Sequence, residues 1–197
     1  MIERPALIQK LNQGMECGLV LLCAPAGYGK TTLISAWLHQ VKQINTWLTL
    51  DQQDDDPVRF LTYLAAALKK IDPSIGEVLE IQLQTCPLPI LENCLTPVIN
   101  KINEFERPFW LVLDDYHVIN DRNNHQAIRF LLNHRPHNFH LVIATRADPP
   151  LPLSKYRAKS EMLELRLADL RFSEEEAVDF FNQVIGMTFS PDDINML

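Results

Sequence analysis

Residues 19–38 read Leu-Val-Leu-Leu-Cys-Ala-Pro-Ala-Gly-Tyr-Gly-Lys-Thr-Thr-Leu-Ile-Ser-Ala-Trp-Leu, and the rest of the chain is organised around them. Leu19 to Cys23 form a continuous apolar run with the length and branching of a buried parallel strand. Pro25, Gly27 and Gly29 interrupt it, and Leu33, Ile34, Trp37 and Leu38 take up helical spacing at once. A buried strand, a Gly-rich turn and a helix opening on Gly-Lys-Thr make a phosphate-binding loop. Such a loop needs backbone N–H groups at a helix N-terminus aimed at an anion, and glycines that let the chain curl around it. Ala26, Gly27, Tyr28 and Gly29 are the expected curl, and Lys30 is placed to reach the β- and γ-phosphates of ATP or ADP. Thr31 and Thr32 open the helix, with the Thr31 hydroxyl as a ligand for Mg²⁺. The strict motif begins with Gly, where this chain has Ala24; a small residue suffices there because the curl falls on Gly27 and Gly29.

Composition narrows the function further. A chain of 197 residues suits one domain with room for the start of a second, and 47% apolar residues supply a real core. A formal net charge of −7 argues against this segment gripping nucleic acid or an anionic membrane by itself. No apolar run approaches the ~20 residues that span a bilayer, and no basic-then-apolar leader opens the sequence. Cys17, Cys23, Cys86 and Cys94 lack CxxC spacing, so reduced thiols and a cytoplasmic location are expected.

Two further apolar runs end in charged residues. Phe109 to Asp114 closes on Asp114-Asp115, the arrangement in which an acid at a strand end holds Mg²⁺. Asp114 is the expected metal partner beside Thr31, and Asp115 is placed to orient the attacking water. Phe139 to Ala144 runs into Thr145-Arg146, so Arg146 lies at the same edge and can sense the γ-phosphate; the alternative is a surface Arg146 pairing with Asp148. Lys30, Asp114, Asp115 and Arg146 are thus the expected catalytic set.

The remaining segments are read more simply. Ile2, Leu7, Ile8 and Leu11 have helical spacing with Pro5 suited to a first turn, and Ile2 and Arg4 are candidates for an adenine pocket. Asn45 to Leu50 reads as a strand ending in Asp51 on the ligand edge. Asp54, Asp55 and Asp56 before Pro57 read as capping and dipole chemistry for a helix striped by Phe60, Leu61, Leu64 and Leu68. Residues 72–88 carry only weak helical patterns, whereas Leu91, Leu95, Val98, Ile99, Ile102 and Phe105 form a long amphipathic helix. His134, His137 and His140 look like ligands at intervals of three, but Pro136 breaks the register and a solvated loop is the better reading, with His140 entering the next strand. Leu163 to Leu167 alternate as an edge strand, Ser173 and Glu176 make a capping box, and Ser190 opens another helix.

Five strands alternating with helices predict an α/β fold, a five-stranded parallel sheet with helices on both faces. A whole strand–helix excursion separates the loop strand from the strand ending in Asp114. That separation marks the additional-strand, AAA-like class of P-loop NTPases.

Several stretches together resemble a family. Ala24 to Ile34, Trp47 to Asp51 with Asp56 to Phe60, and Leu113-Asp114-Asp115-Tyr116-His117 are similar to the ATPase domain of MalT-like transcriptional activators, within the STAND signalling NTPases. Thr145 to Leu153 and Asp169 to Phe172 continue the likeness across nearly the whole chain. The resemblance implies an NTPase domain over residues 1–168 and the start of a following helical domain at 169–197. It also implies a nucleotide-driven switch with slow regulatory ATP hydrolysis, an ADP-bound resting monomer and an ATP-bound form that self-associates. DNA, often through a LuxR-type domain, and a small-molecule inducer would be met by domains outside these residues. Two other readings are a STAND protein with a non-DNA-binding effector and a P-loop kinase-type metabolic enzyme, though no Arg-rich lid supports the latter.

Overall fold

The computed structural model describes residues 4–85, 91–173 and 176. Five parallel strands form one sheet: β1 (Leu19–Cys23), β2 (Ile44–Thr49), β3 (Phe109–Asp114), β4 (Phe139–Thr145) and β5 (Met162–Arg166). Their order is β2-β3-β4-β1-β5, so β4 is inserted between the loop strand and the strand ending in Asp114. The helices are α1 (Pro5–Gln13), α2 (Lys30–Val41), α3 (Pro57–Lys69), α4 (Pro73–Thr85), α5 (Leu91–Glu104), α6 (Arg122–Asn133), α7 (Leu153–Ala158) and the single turn α8 (Leu167–Leu170). This is the expected P-loop NTPase architecture of the additional-strand class.

The pleat explains why β1, β3 and β4 read as largely apolar runs. Leu19, Leu21, Leu111, Leu113, Leu141 and Ile143 face one core, against Phe60, Leu64, Leu95, Val98, Ile128 and Leu131 of the helices α3, α5 and α6. Val20, Leu22, Trp110, Val112, Val142 and Ala144 face the other, against Leu7, Leu11, Ile34 and Trp37 of α1 and α2. Helices therefore cover both faces. Trp37 meets Trp110 edge-on at 4.9 Å between centroids, and its indole N–H donates to Asn12 Oδ1 at 3.0 Å, which ties α1 to α2.

Segments that the sequence left open acquire physical causes. Helix α4 buries only Ile75, Gly76 and Leu79, too thin a stripe to stand out in the periodicity. It crosses α3 so closely that a Cβ on Gly76 would lie 2.4 Å from the Ala65 carbonyl. In the acidic run, Asp56 caps α3 as expected, accepting from the Arg59 amide at 2.9 Å. Asp54 is buried beneath the Arg59 guanidinium at 2.8 Å. Asp55 departs from the expected dipole role, because its carboxylate takes the amides of Asn120 at 2.6 Å and Asp121 at 2.7 Å, joining this loop to the one beyond β3. Asp51 also differs from expectation: it caps a local turn, accepting from the Gln53 amide at 2.7 Å.

His140 enters the strand as expected. It is buried within β4, stacks on Trp110 at 4.5 Å and pairs through Nδ1 with the Cys17 carbonyl at 2.8 Å. His134 lies against Phe130 instead, and among the described residues no group of three His, Cys, Asp or Glu could hold a metal ion. Cys17, Cys23 and Cys94 are thiols, and among the described residues no helix is long and apolar enough to cross a membrane. Ser173 and Glu176 form the expected capping box, with Glu176 N–H donating to Ser173 Oγ at 3.1 Å and Ser173 N–H to Glu176 Oε2 at 3.0 Å. Cys86, the helix running on from Glu176 and the one opening at Ser190 lie outside the described residues.

Burial lowers the pKa of both His125 and His140, so each stays neutral in the folded chain at pH values where the unfolded chain binds a proton. Stability is therefore full above about pH 6.5 and falls as the pH drops below it, by up to about 1.4 kcal/mol per unit for each histidine. Thermal unfolding midpoints measured from pH 7.5 to 5.5 should decline over that window. Separately, Gly76→Ala should cost about 1–3 kcal/mol in urea unfolding, because the clash is with backbone and α4 must shift.

Candidate functional site

The loop between β1 and α2 is built around two residues in the left-handed region. Gly27 has φ 86° and Gly29 φ 69°, conformations that side chains rarely adopt, and a Cβ at either would project into open space. Helix α2 starts from Gly29, which has no side chain to cap it, and its first turn holds no acidic residue. The helices α3 and α6 begin instead on Asp56 and Asp121, whose carboxylates fill that place. The N-terminal amides of α2 thus have no side-chain cap, the arrangement in which a helix start can take an anion. Ala24 needs no left-handed backbone: its side chain is buried in the core under α2, and its amide is fixed to the Thr145 carbonyl at 3.2 Å.

Lys30 is buried and folds back over the loop, donating through Nζ to the carbonyls of Ala24 at 2.7 Å and Pro25 at 2.9 Å. Burial lowers its pKa, and Arg146 adds to that, while Asp115 and Asp114 oppose it. The Thr31 hydroxyl donates to Asp114 Oδ2 at 2.8 Å, so the two expected metal partners meet across the gap between α2 and β3. The other carboxylate oxygen of Asp114 accepts the Asp115 amide at 3.0 Å.

Asp115 stands at the mouth with a left-handed backbone, φ 55° and ψ 34°, which aims its half-exposed carboxylate away from the sheet. Its Oδ1 lies 4.0 Å from the Arg146 guanidinium. A cavity of about 250 Å³ collects these groups, lined by Ala26, Gly27, Gly29, Lys30, Thr31, Thr32, Asp115 and Arg146. Arg146 therefore faces the loop, and Asp148, its alternative partner, is taken by Arg166. Tyr28 is partly buried and packs against the core beneath α1 and α2.

Sequence reasoning missed His117 as a site residue. Its Nδ1 is buried without a hydrogen-bond partner and lies 3.7 Å from Asp115 Oδ1. Burial lowers its pKa, reinforced by Arg146 and Lys30 against the pull of Asp115 and Asp114. The signal was present only as the residue two places after Asp115. Arg4 is placed elsewhere: it pairs with Glu176 at 2.9 Å and donates to the carbonyls of Leu170 at 2.9 Å and Arg171 at 2.8 Å. Ile2 lies outside the described residues.

No family model matches the chain. It is 34% identical over 196 residues to the HTH-type transcriptional regulator MalT of Klebsiella pneumoniae, covering 100% of this chain and 22% of that protein. The MalT of Yersinia enterocolitica gives the same identity and coverage, and that of Vibrio cholerae is 35% identical over 185 residues, covering 94% of this chain and 20% of its own length. The chain thus spans about a fifth of these relatives, and the likeness to MalT-type regulators read from its motifs holds along its length. Among solved structures, a STAND protein with a tetratricopeptide-repeat sensor from Pyrococcus horikoshii superposes with a TM-score of 0.64 at 18% identity, over 100% of this chain and 27% of that one. The Aeropyrum pernix ORC1 protein, solved in complex with DNA, gives 0.54 at 14% identity, over 93% of this chain and 49% of its own. These two likenesses concern the fold.

Proposed function

We propose that this chain, similar over its whole length to MalT-type transcriptional regulators and folded as a P-loop NTPase, is the nucleotide-dependent switch unit of a signal-responsive regulator. The observation that carries the reading is the uncapped N-terminus of α2, with Lys30 buried beside it and Thr31 hydrogen-bonded to Asp114. An anion suits the free amides and Lys30, and the neighbouring hydroxyl and carboxylate are hard oxygen donors of the kind Mg²⁺ takes. The cavity is of a size for phosphate groups rather than a whole nucleotide, which fits a triphosphate entering end-on.

In this reading the amides of residues 26–32 and Lys30 cradle the β- and γ-phosphates of ATP. Thr31 and Asp114 hold Mg²⁺, which when bound offsets the charge on the phosphoryl oxygens. Asp115 accepts a hydrogen bond from the attacking water and aligns it with the γ-phosphorus. Because Asp reaches one methylene less far than Glu, water is held loosely and turnover is slow. Slow hydrolysis suits a timer that resets an active state. Arg146 touches only the γ-phosphate and so distinguishes ATP from ADP. Residues 1–168 form the NTPase domain and 169–197 begin the next, helical one. Self-association in the ATP state, inducer binding and DNA binding belong to the whole regulator.

Lys30→Ala should weaken ATP at least about tenfold, the loss of charged hydrogen bonds to phosphate. Titration with a fluorescent ATP analogue measures this, and an unchanged affinity would sink the proposal. Arg146→Ala should weaken a non-hydrolysable ATP analogue by about 1–3 kcal/mol and leave ADP nearly untouched. Paired calorimetric titrations decide it: equal losses for both nucleotides would make Arg146 a general binder rather than a sensor.

A further inference from the structure

The strands β4 and β5 flank β1 and share no backbone hydrogen bond with each other. Thr145, Cys23 and Arg166 lie in one row across the three, at the edge from which the phosphate loop springs. Beyond Thr145 the chain runs Arg146-Ala147-Asp148, held by the Thr145 hydroxyl donating to the Ala147 carbonyl at 2.8 Å. The Asp148 carboxylate then meets the Arg166 guanidinium through both terminal nitrogens, the longer contact at 3.4 Å. The same guanidinium holds Glu164 through Nε at 2.8 Å and Nη2 at 2.5 Å, so its planar fork is fixed between two carboxylates. Cys23 lies between Thr145 and Arg166 in that row, so the pair spans the root of the loop.

Arg166 is also where the chain turns out of the sheet. Its backbone amide donates to Asp169 Oδ2 at 2.8 Å, and the other oxygen of Asp169 accepts from Lys10 at 2.7 Å. The turn α8 follows at once, and Arg4 grips the carbonyls that end it. One residue therefore joins the Arg146 segment by its side chain and the outgoing segment by its backbone.

We propose that the Asp148–Arg166 ion pair tethers Arg146 to α8, so that the nucleotide in the loop biases the segment by which the chain leaves the sheet. This rests on the reading of Arg146 as the γ-phosphate sensor. The pair is half in solvent, Arg166 33% and Asp148 55% exposed, so it is a weak source of stability and its contribution is geometric. Arg146 is itself half-exposed and comes no nearer than 4.0 Å to Asp115, so the aim of its side chain depends on how residues 146–148 are anchored. Arg166 is a positioning residue for it. Coupling between sites is reciprocal, so a γ-phosphate that draws Arg146 inward acts through Asp148 on Arg166 and on the turn after it.

The test is a double-mutant cycle on the chain with Arg166→Gln, Asp148→Asn and the pair combined. Two quantities are read: the ratio of affinities for a non-hydrolysable ATP analogue and ADP, and amide exchange over residues 167–171 with each nucleotide. Each single variant should lower the ratio about threefold to tenfold, with ADP affinity and the unfolding midpoint close to the parent. The combined variant should be no worse than either, as expected for residues that act as one contact. The parent should exchange differently over 167–171 with the two nucleotides, and all three variants should lose that difference. Additive losses, a parent with no nucleotide dependence in that segment, or single variants that keep it would each overturn the tether. Failure of the sensor reading is separable: Arg146→Ala would then weaken both nucleotides equally, whereas a failed tether leaves the Arg146→Ala result standing.

Discussion

One buried carboxylate organises the working edge of this sheet. Asp114 is 3% exposed, so both its oxygens must find donors, and they find the Thr31 hydroxyl and the Asp115 amide. The first bond fixes the start of α2 relative to β3, although β4 lies between β3 and the strand that feeds α2. The second, from the Asp115 amide to the Asp114 carboxylate, holds the left-handed turn that aims Asp115 outward. The seating of α2 against β3 and the aim of the next acid both depend on satisfying this single group.

The other acids near this edge are also matched within the chain. Asp54 is matched by Arg59, Asp55 by two amides beyond β3, and Asp56 and Asp121 by the first turns of their helices. Each is satisfied within the chain. At the start of α2 the pattern reverses, with no side-chain cap and no acid in the first turn. The helix dipole is thus met by a carboxylate at α3 and α6 and is left without one at α2, where Gly27 and Gly29 curl the preceding loop.

This contrast also sets how far the sequence could be read. β1, β3 and β4 were legible almost to the residue because both of their faces are buried, which makes nearly every position apolar, Asp114, His140 and Thr145 apart. The loop was legible because its chemistry is local: Gly27, Gly29, Lys30 and Thr31 lie within five residues. Asp114 and Arg146 were legible as strand ends, since a parallel sheet delivers all its C-terminal ends to one edge. What escaped was pairing over distance. Asp55 finds Asn120 and Asp121, Asp148 finds Arg166, and His140 finds Cys17, separations that no spacing rule anticipates. Helix α4 escaped for another reason, because close packing at Gly76 takes the place of a wide apolar stripe.

The strand order gives the Asp148–Arg166 contact its meaning. With β1 between them, β4 and β5 can correlate their ends only through the root of the phosphate loop or through side chains that pass over it. Cys23, at that root, is small and offers no strong donor, so the crossing is left to a long side chain with a planar fork. Arg166 meets this need, and Glu164 on the same strand steadies it from behind. A lysine in its place would supply the charge without the fixed direction. A point charge can attract Asp148, but only a guanidinium held from two sides can transmit a change in where Asp148 lies.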